Sequence, residues 1–201
     1  MSKLPLTFYQ QEDVLAIAKD LLGKILYTNI EGKICSGIIV ETEAYAAPED
    51  KASHAFGNKR TNRTAPFYLE GGVAYVYLCY GIHSLFNIIT NKDNVPHAVL
   101  IRAIEPMLSI DTMMERRNKT TFDYTLTQGP GSLSRALGIS LLHNTVSLLS
   151  DTIWIEESEL GTKFGINAGS RIGVGYAEEY AEKPWRFWID KNPFVSRIKK
   201  C

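Results

Sequence analysis

Apolar and polar positions in this chain mostly alternate over short runs, and few stretches keep a helical period. In residues 11–22, Val14, Leu15, Ile17, Ala18, Leu21 and Leu22 recur at helical spacing, with Glu12 and Asp13 in the first turn and Gly23 as a stop. That pattern predicts an amphipathic helix packed on a sheet. Residues 24–29 and 33–45 read as two strands joined through Glu31-Gly32. Residues 73–79 alternate, with Tyr75 and Tyr77 on one face and Val76 and Leu78 on the other. Tyr80-Gly81-Ile82-His83 breaks the alternation and residues 85–90 resume it, which predicts a hairpin with Tyr80 and Gly81 near its tip. A further strand over 98–104 carries Arg102 inside an apolar run.

Ser109 is expected to cap a helix reaching about Asn118, and a short helix over 133–137 should follow Gly129-Pro130 and end at Gly138. Strands are predicted at 152–156, 171–175 and 185–189, with loop over 158–169. Residues 46–66 show no period, and loops of that length in compact domains are usually functional or disordered. With no repeat and no linker, the expectation is an α+β fold in one domain over residues 1–201. Its mixed, largely antiparallel curved sheet should be surrounded by helices and carry a protruding β-hairpin.

One strand stands out chemically. Ile38-Ile39-Val40 begins as buried strand, and Glu41-Thr42-Glu43-Ala44-Tyr45 then puts two carboxylates and a phenol on one face if the strand stays regular. Carboxylates at that spacing lie roughly 6.5 Å apart, close enough to influence each other once water is excluded. The same pattern also fits an edge strand that carries charge against aggregation. Glu43, followed by an aromatic and by a loop holding His54, has the surroundings that water activation in a cleft needs. Tyr45, Tyr75, Tyr77 and Tyr80 suit either a hydrogen-bonded core or walls that stack on a planar ligand such as a nucleobase. An aromatic at a hairpin tip is costly to expose unless it inserts into something. Arg102 requires a partner or an exposed strand end, and Asn87 in the second arm either satisfies backbone groups or borders a pocket.

Composition changes the picture modestly. The chain has 201 residues, 45% of them hydrophobic, with 22 basic and 22 acidic side chains and a formal net charge of zero. Zero net charge argues against an extended phosphate-binding surface, yet Lys59-Arg60-Thr61-Asn62-Arg63, Arg116-Arg117-Asn118-Lys119 and Arg197-Ile198-Lys199-Lys200 are local basic runs. Cys35, Cys79 and Cys201 lack C-x-x-C spacing and the four histidines lack ligand spacing, so neither a disulfide frame nor a metal is expected. No signal-like leader or spanning run is visible, and an intracellular, cytoplasmic protein without membrane association is expected. Gly173-Val174-Gly175 is not a dinucleotide fingerprint, and Gly129-Pro130-Gly131-Ser132 is not a phosphate loop. Without G-x-S-x-G, a serine nucleophile is disfavoured.

Taken in order, several of these pieces resemble the alkyladenine (methylpurine, 3-methyladenine) DNA glycosylase family found in vertebrates and some bacteria. They are Val40-Glu41-Thr42-Glu43-Ala44-Tyr45 with Pro48-Glu49-Asp50 and His54, Tyr75-Val76-Tyr77 with Tyr80-Gly81 and Asn87, and Leu100-Ile101-Arg102-Ala103 with Glu105-Pro106. Gly129-Pro130, Arg171-Ile172-Gly173-Val174-Gly175 and Lys183-Pro184 with Arg186-Phe187 complete the match. The resemblance implies excision of alkylated or deaminated purines flipped out of duplex DNA, by water, leaving an abasic site, in base excision repair.

The resemblance implies further that Glu43 is the general base and that Arg102 orients the water or nearby backbone. Tyr45 and His54 would stack on one side of the base and Tyr77 on the other, while Tyr80 fills the vacated space and Asn87 rejects the amino group of guanine. Glu41 is then structural, or tunes Glu43 from behind. Arg60, Arg63 and Lys183 are candidates for the DNA backbone, the partner is damaged double-stranded DNA, no cofactor or metal is implied, and a monomer is expected. Lys59 and Lys183 carry no signal of a Schiff-base nucleophile. His83 departs from the family, since an aromatic is expected there. A noncatalytic nucleic-acid-binding module on the same scaffold, or a glycosidase of free nucleosides, also fits the residues alone.

Overall fold

The computed structural model describes residues 2–159 and 163–196, so the basic run at 197–200 and Cys201 lie outside it. Twelve elements matter for the site. Helices α1 (Leu6–Tyr9) and α2 (Val14–Asp20) precede strands β1 (Ile25–Ile30) and β2 (Lys33–Ala46). Strands β3 (Ala74–Cys79), β4 (His83–Thr90) and β5 (His97–Leu108) lead to helices α3 (Ile110–Arg116) and α4 (Pro130–Leu137), and β6 (Ile153–Glu156), β7 (Ile166–Gly169) and β8 (Arg186–Ile189) close the chain. The expected α+β architecture is present as one eight-stranded sheet whose pairings are all antiparallel among the described residues.

The order β3-β4-β5-β2-β1-β6 puts β2 in the middle, and β8, itself paired with β7, joins it. β2 pairs with β5 along most of its length, with β1 through residues 33–38, and with β8 through Glu41, Thr42 and Glu43. Its acidic end is therefore flanked on both sides, which removes the edge-strand reading of the two glutamates. β2 is also not regular. Its register against β5 shifts at Ser36/Gly37 and around Glu41, so that Ile39 and Val40 both enter the core.

Helices cover one face of the sheet. Ile17 and Leu21 from the α2 region, Met113 from α3 and Leu133 and Leu137 from α4 pack with Ile39, Val40, Phe86, Ile88 and Ile101. Asp13 caps α2 by accepting from the N–H groups of Leu15 and Ala16, so the helix begins three residues later than its periodicity suggests. Gly138, at φ 79°, ends α4 in the left-handed conformation open to glycine. The loop between β2 and β3 covers the other face, where Ala47, Phe67 and Tyr68 pack on Tyr75, Ile89 and Ala98.

Three local expectations need correction. Ser109 precedes α3 but lies at φ 59° and its side chain caps nothing, because the chain turns sharply there out of β5. Residues 166–169, expected as loop, form β7 against β8, a pairing that a four-residue strand cannot announce by periodicity. Residues 171–175, expected as a strand, are irregular, with Gly173 at φ 80°, incompatible with an extended ladder.

At the first register shift, a Cβ on Gly37 would lie 2.7 Å from the Glu105 carbonyl oxygen and 2.8 Å from Ile104 Cδ1. Gly37→Ala should therefore destabilise the fold by about 1–3 kcal/mol, read as a lowered urea midpoint at unchanged m-value.

Candidate active site

Every buried charged residue among the described ones belongs to a set around the C-terminal half of β2. These are Glu41, Glu43, Asp50, Arg102, Arg171 and Arg186, three carboxylates against three guanidiniums. β5 brings Arg102 across from β2, where its Nε donates to Glu41 Oε1 at 3.0 Å and its Nη1 lies 3.1 Å from Glu43 Oε1. β8 brings Arg186, whose Nη1 donates to the same Glu41 oxygen at 3.0 Å, while the Ser196 N–H donates to Glu41 Oε2 at 2.7 Å. Glu41 is thus consumed by structural bonds. Burial opposes the Arg102 charge, but Glu43 and then Glu41 outweigh it, so its pKa is raised and it stays a cation.

Glu43 is bonded differently. Its Oε1 also accepts the Ile172 N–H at 2.8 Å, and its Oε2 accepts the Tyr45 hydroxyl at 2.7 Å. Burial and Glu43 together push the Tyr45 phenol well above its ordinary range, so it remains a donor. A carboxylate offers about four acceptor positions. Two are filled by hydrogen bonds among the described residues, Oε1 is paired in addition with the Arg102 charge, and Oε2 keeps an acceptor position beside the Tyr45 bond.

Asp50 accepts two bonds from Arg171, at 2.5 and 2.8 Å, and Arg171 also donates to the Ala44 and Tyr180 carbonyls. The Arg171 guanidinium lies against the rings of Tyr45, at 4.7 Å, and Trp185, at 5.1 Å. This clamp fixes residue 171, and hence the neighbouring Ile172 N–H against Glu43. Arg171 and Arg186 carry this positioning, although the motif around them was legible only as a resemblance. Their signal in sequence is an arginine opening a glycine run and another at the start of an apolar strand.

A cavity of about 300 Å³ opens above Glu43. Glu43 itself has no exposed surface, but the groups that bond it, Tyr45, Arg102 and Ile172, line the cavity. Tyr45, His54, Tyr77, Tyr80, Asn87 and Arg102, expected to act together, all meet at its wall, with Phe67, Tyr75, Val174 and Tyr176 added by the structure. Tyr75 and Tyr77 stack at 5.4 Å, and His54 stands edge-on to Tyr77 at 4.6 Å. Asn87 Nδ2 donates to the Tyr75 and Leu85 carbonyls at 3.1 and 3.4 Å, which fixes the amide orientation. Tyr80, at φ 50°, and Gly81, at φ 72°, form the turn between β3 and β4, and Tyr80 is 89% exposed beside Ile82 at 73%.

The candidate backbone-binding residues differ in their surroundings. Arg60 stacks on Tyr68 at 3.7 Å and donates to Asn94 Oδ1, while Lys183 Nζ sits 3.7 Å from the Tyr180 ring centroid. Arg63 instead turns toward the cavity, with Nη2 at 3.3 Å from His54 Nε2, and also lines an adjacent cleft with Lys51 and Lys59. Burial, reinforced by Arg63, lowers the His54 pKa to about 4. Among the described residues no cluster of three or more His, Cys, Asp and Glu side chains could hold a metal ion, and no helix is long and apolar enough to cross a membrane.

Two outcomes follow from these surroundings. Arg186→Met leaves Glu41 short of a buried cation, and should cost about 3–5 kcal/mol in chemical denaturation. For His54 the unfolded chain binds a proton near pH 6.5 that the folded chain refuses until about pH 4. Stability should therefore fall as pH drops from 6.5 toward 4, and His54→Gln should flatten that part of a stability-versus-pH curve.

Comparison with known proteins gives the same assignment over most of the chain. The sequence profile described as methylpurine-DNA glycosylase (MPG) matches residues 7–193. A protein of Chlamydia felis assigned by name as a 3-methyladenine DNA glycosylase is 50% identical over 189 residues, covering 93% of this chain and 96% of its own. Proteins of the same assigned name from Natranaerobius thermophilus and Bacillus mycoides are 45% and 48% identical, each covering 96% of this chain and 98% of their own. A profile match over nearly the whole chain, joined by relatives at 45–50% identity, places the chain in the methylpurine-DNA glycosylase family.

Proposed function

We propose that this protein is a monofunctional DNA glycosylase that flips alkylated or deaminated purines out of duplex DNA and hydrolyses their N-glycosidic bond. The substrates would be of the 3-methyladenine, 7-methylguanine, hypoxanthine and ethenoadenine class, and the setting base excision repair. The observation that carries the reading is a carboxylate, Glu43, fixed beside an aromatic cavity, whose Oε2 accepts only the Tyr45 hydroxyl among the described residues. Shared membership with the similar glycosylases supports it.

In this reading a water donates to the open position on Glu43 Oε2 and attacks C1′ of the flipped nucleotide. Its proton passes to Glu43, and the bonding electrons leave with the base. The negative charge of Glu43 also stabilises the oxocarbenium-like sugar that develops as the bond breaks. Arg102 and the Ile172 N–H hold Oε1, so that Oε2 faces the water. Tyr45 would flank the base on one side and Tyr77 on the other. His54, in edge-on contact with Tyr77 at 4.6 Å, leaves no room for a base between those two rings and stands on the side of Tyr77 rather than of Tyr45. The Tyr75–Tyr77 pair extends the stacking surface. Asn87, tied down by two backbone bonds, cannot rotate away from the 2-amino group of guanine, which rejects the normal base by bulk.

Tyr80, exposed at the hairpin tip, would fill the gap left in the base stack. A phenol held out in water gains little for the fold, and far more when it is stacked between bases. Arg60, Arg63 and Lys183 would meet the phosphates, with Lys51 and Lys59 beside Arg63 in its cleft. The reaction as written needs water and no cofactor or metal, and a monomer suffices because one chain supplies every group named.

The deciding assay uses a duplex with a single hypoxanthine. Wild type should release free base and leave an abasic site. Glu43→Gln should bind the duplex with similar affinity but cut at a rate lower by at least about 100-fold, the usual loss of a positioned general base. Tyr80→Ala should weaken binding to the damaged duplex. Undiminished release by Glu43→Gln would remove the mechanism, and a wild type that binds without cutting would make the protein a noncatalytic reader of damage.

A further inference from the structure

Arg63 reaches the base cavity through His54, and it also lies close enough to the Tyr75 hydroxyl to work against the rise that burial causes in that phenol's pKa. Its Nη2 lies 3.3 Å from His54 Nε2, and His54 Nδ1 lies 2.9 Å from the Tyr75 hydroxyl. A guanidinium has only donors and stays protonated in proteins. Nε2 must therefore accept, which leaves the single proton of the neutral imidazole on Nδ1, the less common tautomer of an imidazole in water. Nδ1–H then donates to the Tyr75 oxygen. The proton of that hydroxyl has no acceptor among the described residues, and Tyr75 lines the cavity.

We infer that Arg63 is a specificity-determining positioning residue: through the His54 tautomer it turns the Tyr75 hydroxyl into a hydrogen-bond donor facing the flipped base. The inference rests on the glycosylase reading and deepens it. A fixed donor selects bases that present an acceptor, such as the 6-oxo group of hypoxanthine, and disfavours bases that present hydrogen there. Without Arg63 the imidazole could take its proton on Nε2 and accept the Tyr75 proton on Nδ1, so the donor would turn away from the cavity. The same lowered pKa that keeps His54 neutral keeps this arrangement intact near neutral pH. Tyr77 stands edge-on to His54 and under the Arg63 guanidinium at 5.1 Å, which holds both ends of the relay in place.

Two measurements test it. In ¹⁵N spectra of the free protein, wild-type His54 should show a pyridine-type Nε2 and a protonated Nδ1, and Arg63→Met should reverse the two. In excision from otherwise identical duplexes, the preference for hypoxanthine over unsubstituted purine should fall roughly tenfold in Arg63→Met, about the effect of one hydrogen bond. Comparing two bases on one backbone cancels any loss of phosphate contact. Tyr75→Phe should lower the preference similarly, and the double variant no further, since the two residues act through one donor.

An unchanged tautomer in Arg63→Met, an unchanged preference, or fully additive losses would each overturn the inference. A wild type inactive on every base would instead overturn the glycosylase reading, while the spectrum would still decide the tautomer.

Discussion

Burying Glu41, Glu43 and Asp50 with Arg102, Arg171 and Arg186 carries a desolvation cost of several kcal/mol per ion, which only close and complete pairing offsets. The pairing needs β5, β8 and the segment after β7 to converge on one end of β2, because each supplies one arginine. Much of the architecture answers that demand. β2 runs 14 residues through the middle of the sheet, switches partner from β1 to β8 along one side, and breaks register against β5 where the glutamates begin. Apolar residues would fill that space more cheaply. Retaining charges there makes sense if one carboxylate has to be held immobile and dry.

The two glutamates divide the labour according to their bonds. Glu41 accepts from Arg102, Arg186 and the Ser196 N–H, and so ties three segments together. Glu43 is bonded by the groups that line the cavity, so it stands directly behind the cavity wall with its orientation already set. That is preorganisation, the arrangement that lowers a barrier without reorganising the protein during the reaction. The hairpin complements it. Its first arm, β3 at the edge of the sheet, supplies the stacked tyrosines and its tip presents Tyr80 outward, which the positive φ at Tyr80 and Gly81 makes geometrically compatible.

Much of this was legible in the sequence because it depends on short-range pattern. Alternation located β1 to β5, and the break at Tyr80-Gly81 located the tip. An arginine inside an apolar strand required a partner or an exposed strand end, and the structure supplies two partners in Glu41 and Glu43. Other features were illegible for a physical reason. β7 and the irregular segment at 171–175 are decided by pairing with distant residues, and glycine next to β-branched residues reads as strand when the chain in fact turns at Gly173. The Asp50–Arg171 clamp spans 121 residues, and His54 and Arg63 lie in a loop without period, so their partners are visible only once the fold brings them together.

The central claim is that the cavity receives the flipped base in a pose that turns C1′ toward Glu43. The most direct measurement is a crystal structure of the Glu43→Gln variant bound to a duplex containing hypoxanthine. The account predicts the base inside the cavity against Tyr77, Tyr80 in the vacated stack, and C1′ on the side of residue 43. A base still stacked in the helix, or lodged with its sugar turned away from residue 43, would contradict it.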